Sequence, residues 1–191
     1  MTNKKIVVGV TGASGAPYTV RVIRLLIESG VEVHLTVSTM GRRLLFEESN
    51  ISTVDAKSFQ VDQNLLIVHN DKDLGSSIAS GSFLHDGMII VPCSSNSMGA
   101  IASGLTNTLV QRAAAVTLKE RRVLVLAHRE SPLSTIDVDN LAKLSHAGAL
   151  IAPLSPGFYM QPKTIEDLVD FMAGKLVDLV GVHHDLPVRW C

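Results

Sequence analysis

Six short runs of strand length, apolar except for the second, which alternates, and separated by helical stretches, constrain this chain of 191 residues more than any other feature of it. The runs span 6–10, 31–37, 65–67, 87–91, 123–127 and 149–151. Between them, helical spacing appears at 17–29, 40–48, 96–119 and 138–147, and a final helix opens at the capping-box pair Thr164 and Asp167. In the first helix Val22, Ile23, Leu26 and Ile27 share a face and Gly30 stops it; in the last, Leu168, Met172, Leu176 and Leu179 form the stripe. Strands that are apolar throughout need helices on both faces, and strands joined through helices run parallel. The chain is therefore predicted to be a single three-layer α/β domain over 1–191, with a doubly wound, mostly parallel sheet. The segment from about 164 to 191 packs on that domain or on a neighbouring subunit. In such sheets ligands sit outside the carboxyl ends of the strands, so the residues directly after each strand form the candidate site.

Composition removes several function classes. Hydrophobic residues make up 46% of the chain and charged residues 18%, a surface so poor in charge that subunit interfaces are expected to cover part of it. A formal net charge of -1 gives no electrostatic footprint for nucleic acid. The two cysteines, Cys93 and Cys191, make no disulfide framework, and no Cys or His spacing suggests a metal site. No apolar run approaches the length of a signal core or a membrane span, so no membrane partner is expected and the cytoplasm is the expected location.

Three strand ends carry chemistry. After the first strand, Thr11-Gly12-Ala13-Ser14-Gly15-Ala16 supplies small residues, a hydroxyl and a helix N-terminus, the makings of an anion or flavin turn. Its spacing is neither GxGxxG nor a P-loop. The second strand ends in Ser38-Thr39 instead of the acid that grips an NAD ribose, which favours a mononucleotide over a dinucleotide. After the fourth strand, Ser94-Ser95-Asn96-Ser97 offers more polar side chains than a helix cap requires, while Cys93 reads as a small buried residue. After the fifth come His128-Arg129-Glu130, with Arg129 suited to an anion and Glu130 to moving a proton. His183 and His184 read as a solvated loop pair.

Together with Arg112-Ala113-Ala114, Leu118-Lys119-Glu120-Arg121-Arg122, Arg129-Glu130-Ser131-Pro132-Leu133-Ser134 and Phe158-Tyr159, the Gly12-Ala13-Ser14-Gly15 turn resembles the UbiX-like flavin prenyltransferases. That family includes the B subunits associated with phenolic-acid decarboxylases. The match runs in order from about Ile6 to Trp190. The resemblance implies a Rossmann-like or flavodoxin-like fold, FMN as bound flavin, dimethylallyl phosphate as co-substrate, and a homo-oligomer, commonly a dodecamer. Its product, prenylated FMN, serves a UbiD-type decarboxylase.

Carried over by position, the resemblance gives FMN contacts to Gly12, Ala13, Ser14, Ser38, Ser94, Ser95, Asn96, Ser97 and Arg129. It gives Arg112, Lys119, Tyr159 and Lys175 to the prenyl phosphate. Catalysis is assigned to Glu130, Ser14, Lys119, Arg112 and Glu48, the last (or Glu47 beside it) reaching a neighbouring subunit's site. Two departures stand out. Lys175 replaces a frequent Arg, keeping the charge without the bidentate fork, and Ser94-Ser95-Asn96-Ser97 stands where many relatives have Ser-Met-Lys-Thr. No Asp-Asp-x-x-Asp cluster is present to hold a magnesium diphosphate, which fits a metal-free site taking a monophosphate. Trp190 is a candidate for ring stacking or for anchoring the C-terminus. The alternatives are a flavin-dependent cysteine-type decarboxylase and a non-catalytic FMN carrier subunit of a decarboxylase.

Overall fold

In the computed structural model, which describes residues 4–187, every strand of the sheet runs parallel to its neighbours. The strands are β1 (Lys5–Val10), β2 (Glu32–Val37), β3 (Leu66–His69), β4 (Gly87–Cys93), β5 (Val123–His128) and β6 (Leu150–Ile151), in the order β3-β2-β1-β4-β5-β6. The chain leaves β1 towards one edge and later returns from β1's other side towards the opposite edge. A crevice therefore opens between the carboxyl ends of β1 and β4, where the loops diverge.

Alternation within each strand feeds two cores. Ile6, Val8 and Val10, Val33, Leu35 and Val37, and Ile89 and Val91 face a layer formed by α1 (Ala16–Glu28) and α7 (Ile165–Leu179). Val7, Met88, Ile90, Leu124 and Leu126 face α4 (Ser95–Ala102), α5 (Leu109–Lys119) and α6 (Thr135–His146). The remaining α-helices among the described residues are α2 (Thr39–Ser49) and the one-turn α3 (Ala56–Phe59), with one 3-10 turn at Ser77–Ala79.

The single helix expected over 96–119 is two helices. Gly104 takes a positive φ of 74° after α4, which ends that helix. Thr108 then caps α5, and Asp71, just beyond β3, accepts the Val110 N–H at 3.0 Å with its carboxylate and the Leu109 N–H at 2.8 Å with its carbonyl. The break lets α5 reach across towards β3 while α4 stays at the crevice.

The Thr164–Asp167 capping box forms as the spacing predicts. The buried face of α7, however, is Met172, Ala173, Leu176 and Val177, so Leu168 and Leu179 lie at its half-buried margins. His184 is also corrected. His183 is exposed, but the His184 ring is buried, with Nε2 3.1 Å from the Gly174 carbonyl and Nδ1 accepting the Leu186 N–H at 3.2 Å. It staples the tail onto α7. Trp190 and Cys191 lie outside the described residues.

Candidate functional site

The first turn is shaped by contacts that exclude side chains. A Cβ on Gly12 would lie 2.5 Å from Cβ of Met40, so the loop after β1 and the start of α2 touch backbone to side chain. Gly15, the N-cap of α1, has φ 134°, and offers no side chain to cap the helix. Glu48, at the far end of α2, supplies the cap instead: its Oε2 accepts the N–H groups of Gly15 and Ala16 at 2.8 and 2.9 Å. Burial alone would raise this carboxyl, but those two N–H groups, the Ser14 hydroxyl and the Arg129 charge together hold it below the ordinary carboxylate range.

Glu47 and Glu48 point in different directions. Glu47 pairs with Arg43 on the exposed side of α2, at 2.7 Å. Glu48 lies over the first turn of its own subunit rather than away from the strand ends. Here α2 bridges the turn, touching Gly12 through Met40 and Gly15 through Glu48.

Thr11, given no role from sequence, locks the crevice floor. Its hydroxyl donates to the Pro92 carbonyl at 2.9 Å and accepts the Ser94 N–H at 2.8 Å, joining the ends of β1 and β4. Ser94 caps α4, accepting the Ser97 N–H at 3.3 Å, and its hydroxyl lies 3.2 Å from that of Ser97. Ser38 likewise caps α2 through the Gly41 N–H at 3.1 Å. Ser95 is turned to His128 and Asn96 is exposed. Cys93 is fully buried, and burial pushes its thiol up to about 12, which rules out a resting thiolate.

Arg129 is the conspicuous group. Its backbone N–H holds the Cys93 carbonyl at 3.2 Å, yet its Nε is buried without a hydrogen-bond partner. A buried guanidinium N–H with nothing to donate to is costly, and it is matched by an acceptor-rich ligand such as a flavin edge or phosphate. The glycine cradle, an α1 N-terminus that already binds a carboxylate, and this unpaired donor all fit FMN. Glu130 beside it is exposed, its carboxylate accepting the Ser131 N–H at 3.1 Å.

A groove of about 610 Å³ lies next to the crevice, between β6 and α7, lined among others by Leu150, Pro153, Tyr159, Phe171 and Lys175. Between groove and crevice stands Leu154, flanked by the groove residues Pro153 and Ser155, with its N–H holding the His128 carbonyl at 2.9 Å and its side chain over Gly15. The Tyr159 ring packs edge-on against Phe171, with centroids 5.6 Å apart. Tyr159 and Lys175 are thus brought together. Arg112 and Lys119 are not brought to them within one subunit. Arg112, one turn into α5, donates from Nε to the Ala79 carbonyl at 3.0 Å. Lys119 ends α5 about 10 Å further along the helix axis, beside Glu120 at 3.1 Å and close to the start of β5. A crossover helix must return to the amino ends of the strands, and Lys119 goes with it.

Comparison with known proteins agrees with this geometry. Residues 1–177 match the family model described as Flavoprotein. Flavin prenyltransferase UbiX of Thermoplasma acidophilum is 46% identical over 97% of this chain and 99% of its own length. A solved structure described as AnUbiX (PadA1) in complex with FMN and dimethylallyl pyrophosphate superposes with TM-score 0.87 at 39% identity, covering 95% of this chain and 94% of that one. A dodecameric FMN-dependent Ubix-like decarboxylase from Escherichia coli O157:H7 gives TM-score 0.89 at 39% identity, covering 98% of this chain and 99% of that one. No helix among the described residues is long and apolar enough to cross a membrane. The chain belongs to the UbiX flavin prenyltransferase family, within the flavoproteins.

Proposed function

We propose that this chain transfers a dimethylallyl group from dimethylallyl phosphate to N5 and C6 of reduced FMN, giving prenylated FMN for a UbiD-type decarboxylase. The observation that carries the reading is the buried, unpartnered Nε of Arg129 beside the Ser14–Glu48 turn, next to an apolar groove that ends in Tyr159 and Lys175. When bound, reduced flavin supplies the nucleophilic ring atoms. The remaining tasks fall to this chain. Arg129, Gly12, Ala13 and the polar turn from Ser94 to Ser97 hold the ring and its phosphate. Lys175 and Tyr159 bind the leaving phosphate through charge-assisted and hydroxyl donors. The groove walls keep water from the allylic carbon, and Glu130 takes up the proton released on ring closure.

Arg112, tied to the Ala79 carbonyl, and Lys119, at the far end of α5, are turned to other neighbours than their own groove, so we assign them to the groove of an adjacent copy in a homo-oligomer. Exposed apolar side chains support such an assembly: Ile136 is 73% and Phe158 72% exposed, with Leu133, Val138 and Leu150 also uncovered. In this reading the tail from Val180 to Pro187 belongs to the same single domain, and the His184 contacts support it.

Anaerobic incubation with FMN, a flavin reductant and dimethylallyl phosphate, followed by mass spectrometry, tests the function. Flavin heavier by one prenyl unit is expected. FMN recovered unchanged would refute it and leave the carrier reading, whereas decarboxylation of a cysteine-type substrate would point to the other enzyme class. Light scattering showing a fully active monomer would refute the shared site.

A further inference from the structure

One buried titratable side chain beside the crevice is used by none of these roles. His128 ends β5, next to Arg129, and is 3% exposed. Its Nε2 lies 3.0 Å from the hydroxyl of Ser95, the first residue of α4. Ser95 in turn faces the carboxylate of Asp137. That carboxyl is held below its ordinary range chiefly by the Ser134 hydroxyl and N–H, and further by the Ser95 hydroxyl. The geometric link between β5 and α4 here is the His128–Ser95 hydrogen bond. Burial lowers the proton affinity of His128, Asp137 and Glu130 oppose that effect, and Arg129 adds to it.

Asp137 is also the acidic partner in the α6 capping box, accepting the Ser134 N–H at 2.9 Å and hydroxyl at 2.6 Å. His128 and Asp137 stand at the two ends of the segment carrying Arg129 and Glu130; the first is tied to α4 through Ser95 and the second to Ser134. Residues 130–134 of that segment are all exposed, so their own packing does little to position them.

We propose that His128 is a positioning residue for the flavin site: its hydrogen bond with the Ser95 hydroxyl sets the first turn of α4 against the Arg129–Glu130 segment. The inference rests on the flavin reading of the crevice. Flavin-fluorescence quenching on the full chain separates the two, because FMN binding by the unaltered protein tests the reading and its variants test His128. Ser95→Ala and His128→Leu are each expected to weaken FMN about tenfold, the scale of one lost hydrogen bond to a positioned group. His128→Gln, whose amide can donate over a similar reach, is expected to recover binding to within about twofold of the unaltered protein. The double variant Ser95→Ala/His128→Leu should bind no worse than either single one, and the KM for dimethylallyl phosphate should not move. His128→Leu binding FMN as tightly as the unaltered protein would overturn the proposal, as would single effects that multiply in the double variant. Should His128→Leu not fold by circular dichroism, Ser95→Ala with and without His128→Gln decides. In that pair, a further loss on adding His128→Gln overturns the proposal and no further loss supports it. An unaltered protein that binds no FMN overturns the flavin reading and this inference with it.

Discussion

Replacing Glu48 removes the cap of α1 without disturbing the core, so its effect can be worked from two distances. The carboxylate accepts the Gly15 and Ala16 N–H groups at 2.8 and 2.9 Å, and the N-cap, Gly15, has no side chain to take its place. Hydrogen bonds to a charged group contribute about 1.5–3 kcal/mol each before water replaces them. A negative charge at a helix N-terminus adds about 0.3–1 kcal/mol. Glu48 is only half-buried, so water recovers part of the loss, and Glu48→Ala is expected to cost about 2 kcal/mol. For a domain of this size that lowers Tm by about 4–8 °C, and Glu48→Gln, which keeps an accepting oxygen, should lose about half as much. The carboxyl is held below its ordinary value in the fold, so its contribution is complete above the unfolded carboxylate pKa and disappears as pH falls through the lowered one. Thermal unfolding at low salt, at neutral and at acid pH, checks both statements. A Tm deficit below about 1 °C at neutral pH, or one that persists unchanged in acid, would refute the capping argument.

Gly12→Ala places a Cβ 2.5 Å from Cβ of Met40, forcing α2 off the turn, and is expected to cost about 2–3 kcal/mol in urea unfolding and to weaken FMN. Gly30→Ala, at φ 75° with open space around it, should cost only about 1 kcal/mol and leave FMN binding unchanged. Lys175→Ala should weaken dimethylallyl phosphate about thirtyfold by calorimetric titration while FMN affinity stays the same; unchanged affinity for the phosphate would remove Lys175 from that role. Burial holds His34, His69 and His85 below the ordinary imidazole value. These neutral histidines contribute full stability above that value and lose it as pH falls through their lowered ones, so His69→Gln should flatten the decline of urea stability as pH falls below about 6.5.

Much of the fold was legible from residue order alone. A strand such as Ile6-Val7-Val8 feeds one core with Ile6 and Val8 and the other with Val7, and an apolar run of that kind is stable only between two helical layers. The family was legible too, because the Arg112–Ser134 block and the glycine turn are local strings that do not depend on how they pack. The helix break at Ser103–Thr108 carries the local marks Gly104 and the cap Thr108, but its partner Asp71 lies far away in sequence, and the helical spacing on either side masked it. The α7 stripe was rotated because Ala173 and Val177 are chosen by the neighbour they meet, not by hydrophobicity.

At the site, sequence named the residue types but not their company. Glu48 and the Ser14–Gly15 turn are more than thirty residues apart, and only the path of α2 across the turn makes the carboxylate a helix cap. His128 and Ser95 read as a strand end and a cap; their hydrogen bond follows from the adjacency of β4 and β5. Lys119 and Tyr159 carry matching charge and hydroxyl chemistry in sequence, yet the crossover places one near the amino ends of the strands and the other past the carboxyl end of β6. Sequence periodicity sets which face of each element is buried, because burial is decided locally. Which polar groups share a site is decided by strand order and helix path, because hydrogen bonds require atoms about 3 Å apart whatever their separation along the chain.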